Sequence, residues 1–117
     1  MDLDDLITAL LRYDALSARQ WVADAARIGI LWKDVPPPAH ADPTRLAVAA
    51  GVAELLAERS QQEPPAWTRP LLRAPRPVYL VQAALTMPRL RILCEREGPE
   101  PLRSRDIYAP PEFLTAA

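Results

Sequence analysis

Twelve residues, Leu46 to Ala57, constrain this chain more than any others: Leu-Ala-Val-Ala-Ala-Gly-Val-Ala-Glu-Leu-Leu-Ala, with a single charge at Glu54. Asp42 and Pro43 stand just before them, a side-chain acceptor at the N-cap followed by the residue best suited to the first helical position. A helix over about 43–60 is expected. Being apolar nearly all round, it must be covered on several sides, which makes it the centre of a core. Membrane crossing is not expected, since a span takes about 20 consecutive apolar residues. Gly51 interrupts good helix formers, and with Ala47, Ala50 and Ala53 it predicts close approach of another helix.

The residues around this helix read as shorter ones. Asp2, Asp4 and Asp5 precede Leu6, Ile7, Leu10 and Leu11, and early acids suit the positive end of a helix dipole better than they suit a metal. Ser17-Ala18-Arg19-Gln20 has the capping-box form and predicts a second helix to about Ile28, with Trp21, Val22, Ala25 and Ile28 as its stripe and Gly29 as its stop. Over Val78–Val81 length does not separate strand from helix; Gln82-Ala83-Ala84-Leu85 favours helix, so a helix over about 78–85 is expected. Thr86 is the expected N-cap of a further helix, Met87 to Glu97, stopped at Gly98. Fourteen prolines against three glycines imply stiff connections between these pieces. The expected fold is therefore all-α: one compact domain, residues 1–117, of five or six short helices around the central one, with Pro-rich connections.

Catalytic chemistry is poorly served. The three glycines, at 29, 51 and 98, are isolated, so no phosphate loop forms. His40 is the only histidine and Cys94 the only cysteine, which leaves no metal cage, no disulfide and no convincing nucleophile–base set. His40 is expected in solvent. Cys94 should act as a small buried hydrophobe, and Glu54 and Glu58 should lie on an exposed strip. No catalytic residue, metal or cofactor is expected, and the chain reads as a non-enzyme. A net charge of −1 argues against general attraction to nucleic acid or membrane. That charge is unevenly spread: residues 1–66 carry ten acids against six bases (−4), residues 67–117 five against eight (+3). With one cysteine and no apparent leader, a reducing cytoplasm is the expected address.

The aromatic residues mark the expected interaction sites. Trp32 and Trp67 lie at helix margins beside proline segments, where each could close the core or meet a partner. Tyr108 and Phe113 lie in a tail that also holds Arg103 and Arg105. Aromatic and arginine side chains dominate interface energetics, so Trp32, Trp67, Arg103, Arg105, Tyr108 and Phe113 are the candidate partner-binding residues. The alternative is a DNA-associated regulator with a degenerate helix-turn-helix around 16–32. Leu16 to Gln20, leading to Gly29-Ile30, looks like its first helix and turn, but Pro36-Pro37-Pro38 stands where the recognition helix belongs.

Two patches carry a family likeness. Glu63-Pro64-Pro65-Ala66-Trp67-Thr68, together with the tail from Leu102-Arg103-Ser104-Arg105 through Ile107-Tyr108-Ala109-Pro110 to Phe113-Leu114, resembles poorly characterised bacterial all-helical proteins. Some of those carry an added DNA-binding domain, and some are encoded beside a toxin as its antitoxin. A Pro-Pro-x-Trp segment recurs in them, as does a tail of arginines, a few apolar residues, a proline and a bulky apolar pair. The resemblance implies a non-enzymatic, antitoxin-like or regulatory subunit that masks another protein, with homo-oligomerisation left open. No complete separate DNA-binding domain lies within this sequence, so operator binding is not expected of it.

Overall fold

The computed structural model describes residues 2–115. Among them are five α-helices: α1 (Leu3–Leu11), α2 (Ala15–Ile28), α3 (Pro43–Arg59), α4 (Pro88–Glu97) and α5 (Glu100–Arg103). Single 3-10 turns occur at Trp32–Asp34, Ala66–Thr68 and Gln82–Leu85, and two short strands, β1 (Val78–Tyr79) and β2 (Ile107–Tyr108), pair in parallel. The mostly helical domain expected from the sequence is the one observed.

α3 is its centre. The Arg45 amide donates to the Asp42 side chain at 2.8 Å, with Pro43 in the first turn. Ten of its seventeen residues are buried, which no single neighbour could achieve. Arg45 donates to the Asp4 carboxylate and to Thr8 Oγ1 of α1, and Leu56 lines a groove with α2. Gly51 instead meets α5, and Glu54 meets Arg105 just beyond it. At 3.6 residues per turn, Glu54 and Leu56 point roughly 200° apart. The N-terminal pair and α5 thus cover opposite sides of α3. On the α5 side a Cβ on Gly51 would lie 2.8 Å from Leu102 Cδ2 and 3.1 Å from the Pro101 carbonyl oxygen, which explains the glycine.

Three boundaries differ from the sequence expectation. α2 is capped by Asp14, whose Oδ1 accepts the Ser17 amide at 3.1 Å, so Ser17 receives the cap instead of supplying it. Hydrogen bonding from the Ser17 side chain, and then from its amide, holds the Asp14 carboxyl below its ordinary value. α4 has Met87 at its N-cap with no side-chain bond, while Thr86 closes the preceding turn through its hydroxyl to the Ala83 carbonyl. The helix expected over 78–85 is instead a strand followed by a 3-10 turn. Pro75 and Pro77 bias the approach toward extended backbone, and β2 supplies a long-range partner. Val78 N donates to Asp106 O and Leu80 N to Tyr108 O, each at 3.0 Å. The β-branched and aromatic run therefore pairs rather than coils.

Both stop glycines hold, for different reasons. Gly29 has φ 76, a left-handed conformation, and nothing lies within 4 Å of where its Cβ would be. Gly98 has an ordinary φ of −62, but a Cβ there would sit 2.5 Å from the Ala109 carbonyl oxygen. The first needs a backbone freedom, the second needs room. No helix among the described residues is long and apolar enough to cross a membrane.

Candidate partner-binding surface

The six residues singled out in the sequence do not form one surface. Trp32 is 2 % exposed and packs its ring 6.0 Å from that of Trp21, inside the core. Arg105 is 1 % exposed. Both are corrections: neither side chain is presented to a partner. Trp67 is half-buried, its indole N–H donating to the Val35 carbonyl at 2.8 Å, so it joins the two 3-10 turns to each other. Phe113 packs against the core, and Arg59 donates to its carbonyl and, at 3.2 Å, to that of Pro111, which ties the tail to the end of α3. Tyr108 leans on Tyr79 with ring centroids 5.3 Å apart, and its hydroxyl donates to Asp106 Oδ1 at 3.3 Å. Arg103 keeps part of its guanidinium in solvent and donates through Nε to the Gly98 carbonyl at 2.6 Å.

Arg105 is a strut. Its Nη2 donates to Glu54 Oε1 at 2.8 Å and to the Thr68 carbonyl at 2.9 Å, and Nη1 donates to the Pro101 carbonyl at 2.8 Å. These bonds tie the segment after α5 to α3 and to the turn carrying Trp67. Glu54, expected on an open strip, is the acid that balances this buried cation. Spacing along α3 could not reveal a partner 51 positions away.

What does face solvent is the chain beyond α2. Gly29 turns it, Leu31 is extended and Trp32 opens the 3-10 turn, and one side chain clamps the passage: Gln62 Nε2 donates to the Ile30 carbonyl at 3.1 Å, and the Trp32 amide donates to Gln62 Oε1 at 2.9 Å. Neighbouring side chains on extended backbone point to opposite faces. Sending Trp32 into the core therefore sends Leu31 into water, where it is 57 % exposed, and Ile28 beside it is 66 % exposed. Ile30 is the shared wall of two depressions. One, of about 220 Å³, runs between Val22, Ala26 and Leu56. The other, wider and about 700 Å³, is floored by Leu3, Val35, Pro36 and Pro37, with Asp2 and Asp34 as its charged members. The apolar residues on either side of the stop glycine were the signal for this ridge.

A second apolar patch surrounds α4. Leu85, Met87 and Ile92 are exposed, and Cys94 is the only residue of that helix that is buried. Burial raises the Cys94 thiol above its ordinary value, which favours the unreactive protonated form. Tyr79 borders the patch, its hydroxyl donating to the Glu95 carboxylate. This bond, helped by burial, pushes the phenol up to about 12. Arg91 lies 5.8 Å from the centre of the Tyr79 ring.

Among the described residues no three His, Cys, Asp or Glu side chains lie together as a metal would require. His40 is exposed in a turn. The helix after α2 is α3, ten of whose seventeen residues are buried. No family model matches the chain, and neither a curated protein nor a solved structure matches it.

Proposed function

We propose that this chain is a non-enzymatic protein-interaction subunit, antitoxin-like or regulatory, that masks a site on another protein. The observation that carries this reading is the ridge Ile28–Leu31: two large aliphatic side chains held in water, flanked by two apolar depressions. Apolar surface of this kind, ringed by polar groups, is what a partner buries at the centre of an interface. The ridge is presented rigidly, through the Gly29 turn and the Gln62 clamp, so little ordering cost accompanies docking. The mechanism is steric: the partner's apolar site closes over Ile28 and Leu31, and its own ligands lose access.

The test pairs the chain with proteins of its native host, beginning with the product of the adjacent gene. A partner that co-purifies with the wild type should be lost from the Ile28→Lys/Leu31→Lys variant, while the unfolding midpoint stays unchanged. A partner held equally by both proteins would remove the ridge as the site. Duplex DNA bound with a steep fall in salt would replace the reading with a nucleic-acid one.

A further inference from the structure

We infer that the face around α4 docks onto the acidic hollow of a second copy of this chain, giving head-to-tail self-association. The inference rests on two surfaces that match in chemistry. On α4, Arg89, Ile92 and Arg96 fall at spacings of three and four and so share one helical stripe. Exposed Leu85 and Met87 continue its apolar part at the helix start. Among the described residues no ion pair or hydrogen bond engages the guanidinium of Arg89 or Arg96. The hollow has the opposite character: an apolar floor at Leu3, Val35 and Pro36 with exposed Leu31 at its edge, and Asp2 and Asp34 as its charges.

The two surfaces face different ways. The hollow is built from the start of α1 and the segment that follows α2, from Ile30 through the prolines, and α1 and the turn in that segment pack on one side of α3. α4 packs on β2 and the 3-10 turn at Gln82–Leu85, and β2 packs on α5, on the other side. A single copy cannot satisfy its own complement. Two copies joined this way leave one hollow and one α4 face unused, so the contact is heterologous and extends to a ring or a chain. The overall division of charge, −4 over residues 1–66 and +3 over residues 67–117, orients the copies in the same sense. Self-association is independent of the proposed partner, although both use Leu31, so a partner at the ridge and a second copy would compete.

Sedimentation velocity over rising concentration reads this directly. The expected result is a mean mass that climbs above 13.0 kDa with concentration and falls back as salt is added. Arg89→Glu/Arg96→Glu should remain a monomer, and so should Asp2→Asn/Asp34→Arg, in which asparagine preserves the cap on α1. Mixed one to one, the two variants should associate again, because each α4 face then meets a hollow of opposite sign. A wild type that stays at 13.0 kDa throughout overturns the inference, as does a mixture that stays monomeric. Circular dichroism of each variant separates lost association from lost fold. The partner capture described above remains measurable whichever way the mass behaves.

Discussion

Arg105 Nη2 and Glu54 Oε1 meet at 2.8 Å across a sequence gap of 51 residues, and the arginine is almost wholly enclosed while the glutamate keeps an edge in water. The asymmetry decides what removing either partner does. Without Glu54 the guanidinium is left as an uncompensated buried charge, and the Nε of Arg105 already has no hydrogen-bond partner. Glu54→Leu should therefore lower stability by about 3–5 kcal/mol, read from denaturant midpoints at unchanged slope. Glu54→Gln, which keeps an acceptor at Oε1, should lose less. A Glu54→Leu protein that unfolds with the wild type would mean that the pair carries no stability.

Gly51 and Gly98 set helix propensity against space to different degrees. Alanine at 51 gains roughly 1 kcal/mol of helix propensity. It must also move Leu102 Cδ2, the end of a flexible side chain, and crowd the Pro101 carbonyl oxygen at 3.1 Å. The net loss should be about 1–3 kcal/mol. Alanine at 98 gains nothing comparable at a helix end and meets two carbonyl oxygens at 2.5 Å, neither of which can rotate away. Gly98→Ala should be clearly the more damaging in thermal melts. The reverse order would show that the chain near Ala109 yields more easily than α5 does.

Local features of the fold were legible where one segment contains its own explanation. Asp42-Pro43 and the apolar run identify α3, and Gly29 identifies a stop, because each depends on neighbours in sequence; Gly51 among its alanines signals a close contact without naming Leu102 as the partner. Two misses were local, the caps of α2 and α4, and the others involve distant partners. Val78–Tyr79 is a strand only because Ile107–Tyr108 lies beside it, and Glu54 is paired only because Arg105 arrives from the far end of the chain. Of the candidate surface, Trp32 was visible as a special residue but its direction was not. Gln62, a residue with no distinguishing mark in the sequence, sets that direction.

That dependence gives a prediction for the ridge. Trp32→Ala should lose about 3–5 kcal/mol, as deletion of a buried aromatic does. Its neighbour Leu31→Lys should stay within about 0.5 kcal/mol of the wild type, as exposed substitutions do. Gln62→Ala should fall between, at about 1–3 kcal/mol, since it strips a bond from the Trp32 amide and another from the Ile30 carbonyl. Near-ultraviolet circular dichroism should weaken in the Trp32 variant, where the contact with Trp21 is lost, and be unchanged in the Leu31 variant. Equal destabilisation at positions 31 and 32 would contradict the alternation.

Tyr79 should ionise late. Its hydroxyl donates to Glu95, and a phenol that gives up its proton beside a carboxylate loses that bond and meets a like charge. The bond to Glu95, then burial, lift it from 10.0 to about 12, with Arg91 opposing in part. A raised value means that the protonated phenol is favoured in the folded state. The stabilisation is therefore complete below pH 10.0 and is lost as pH rises through about 12. Phenolate absorbance of the three tyrosines should show a late step that Tyr79→Phe abolishes and Glu95→Ala draws back toward 10.0. If Glu95→Ala leaves that step where it was, the bond to Glu95 does not set the shift.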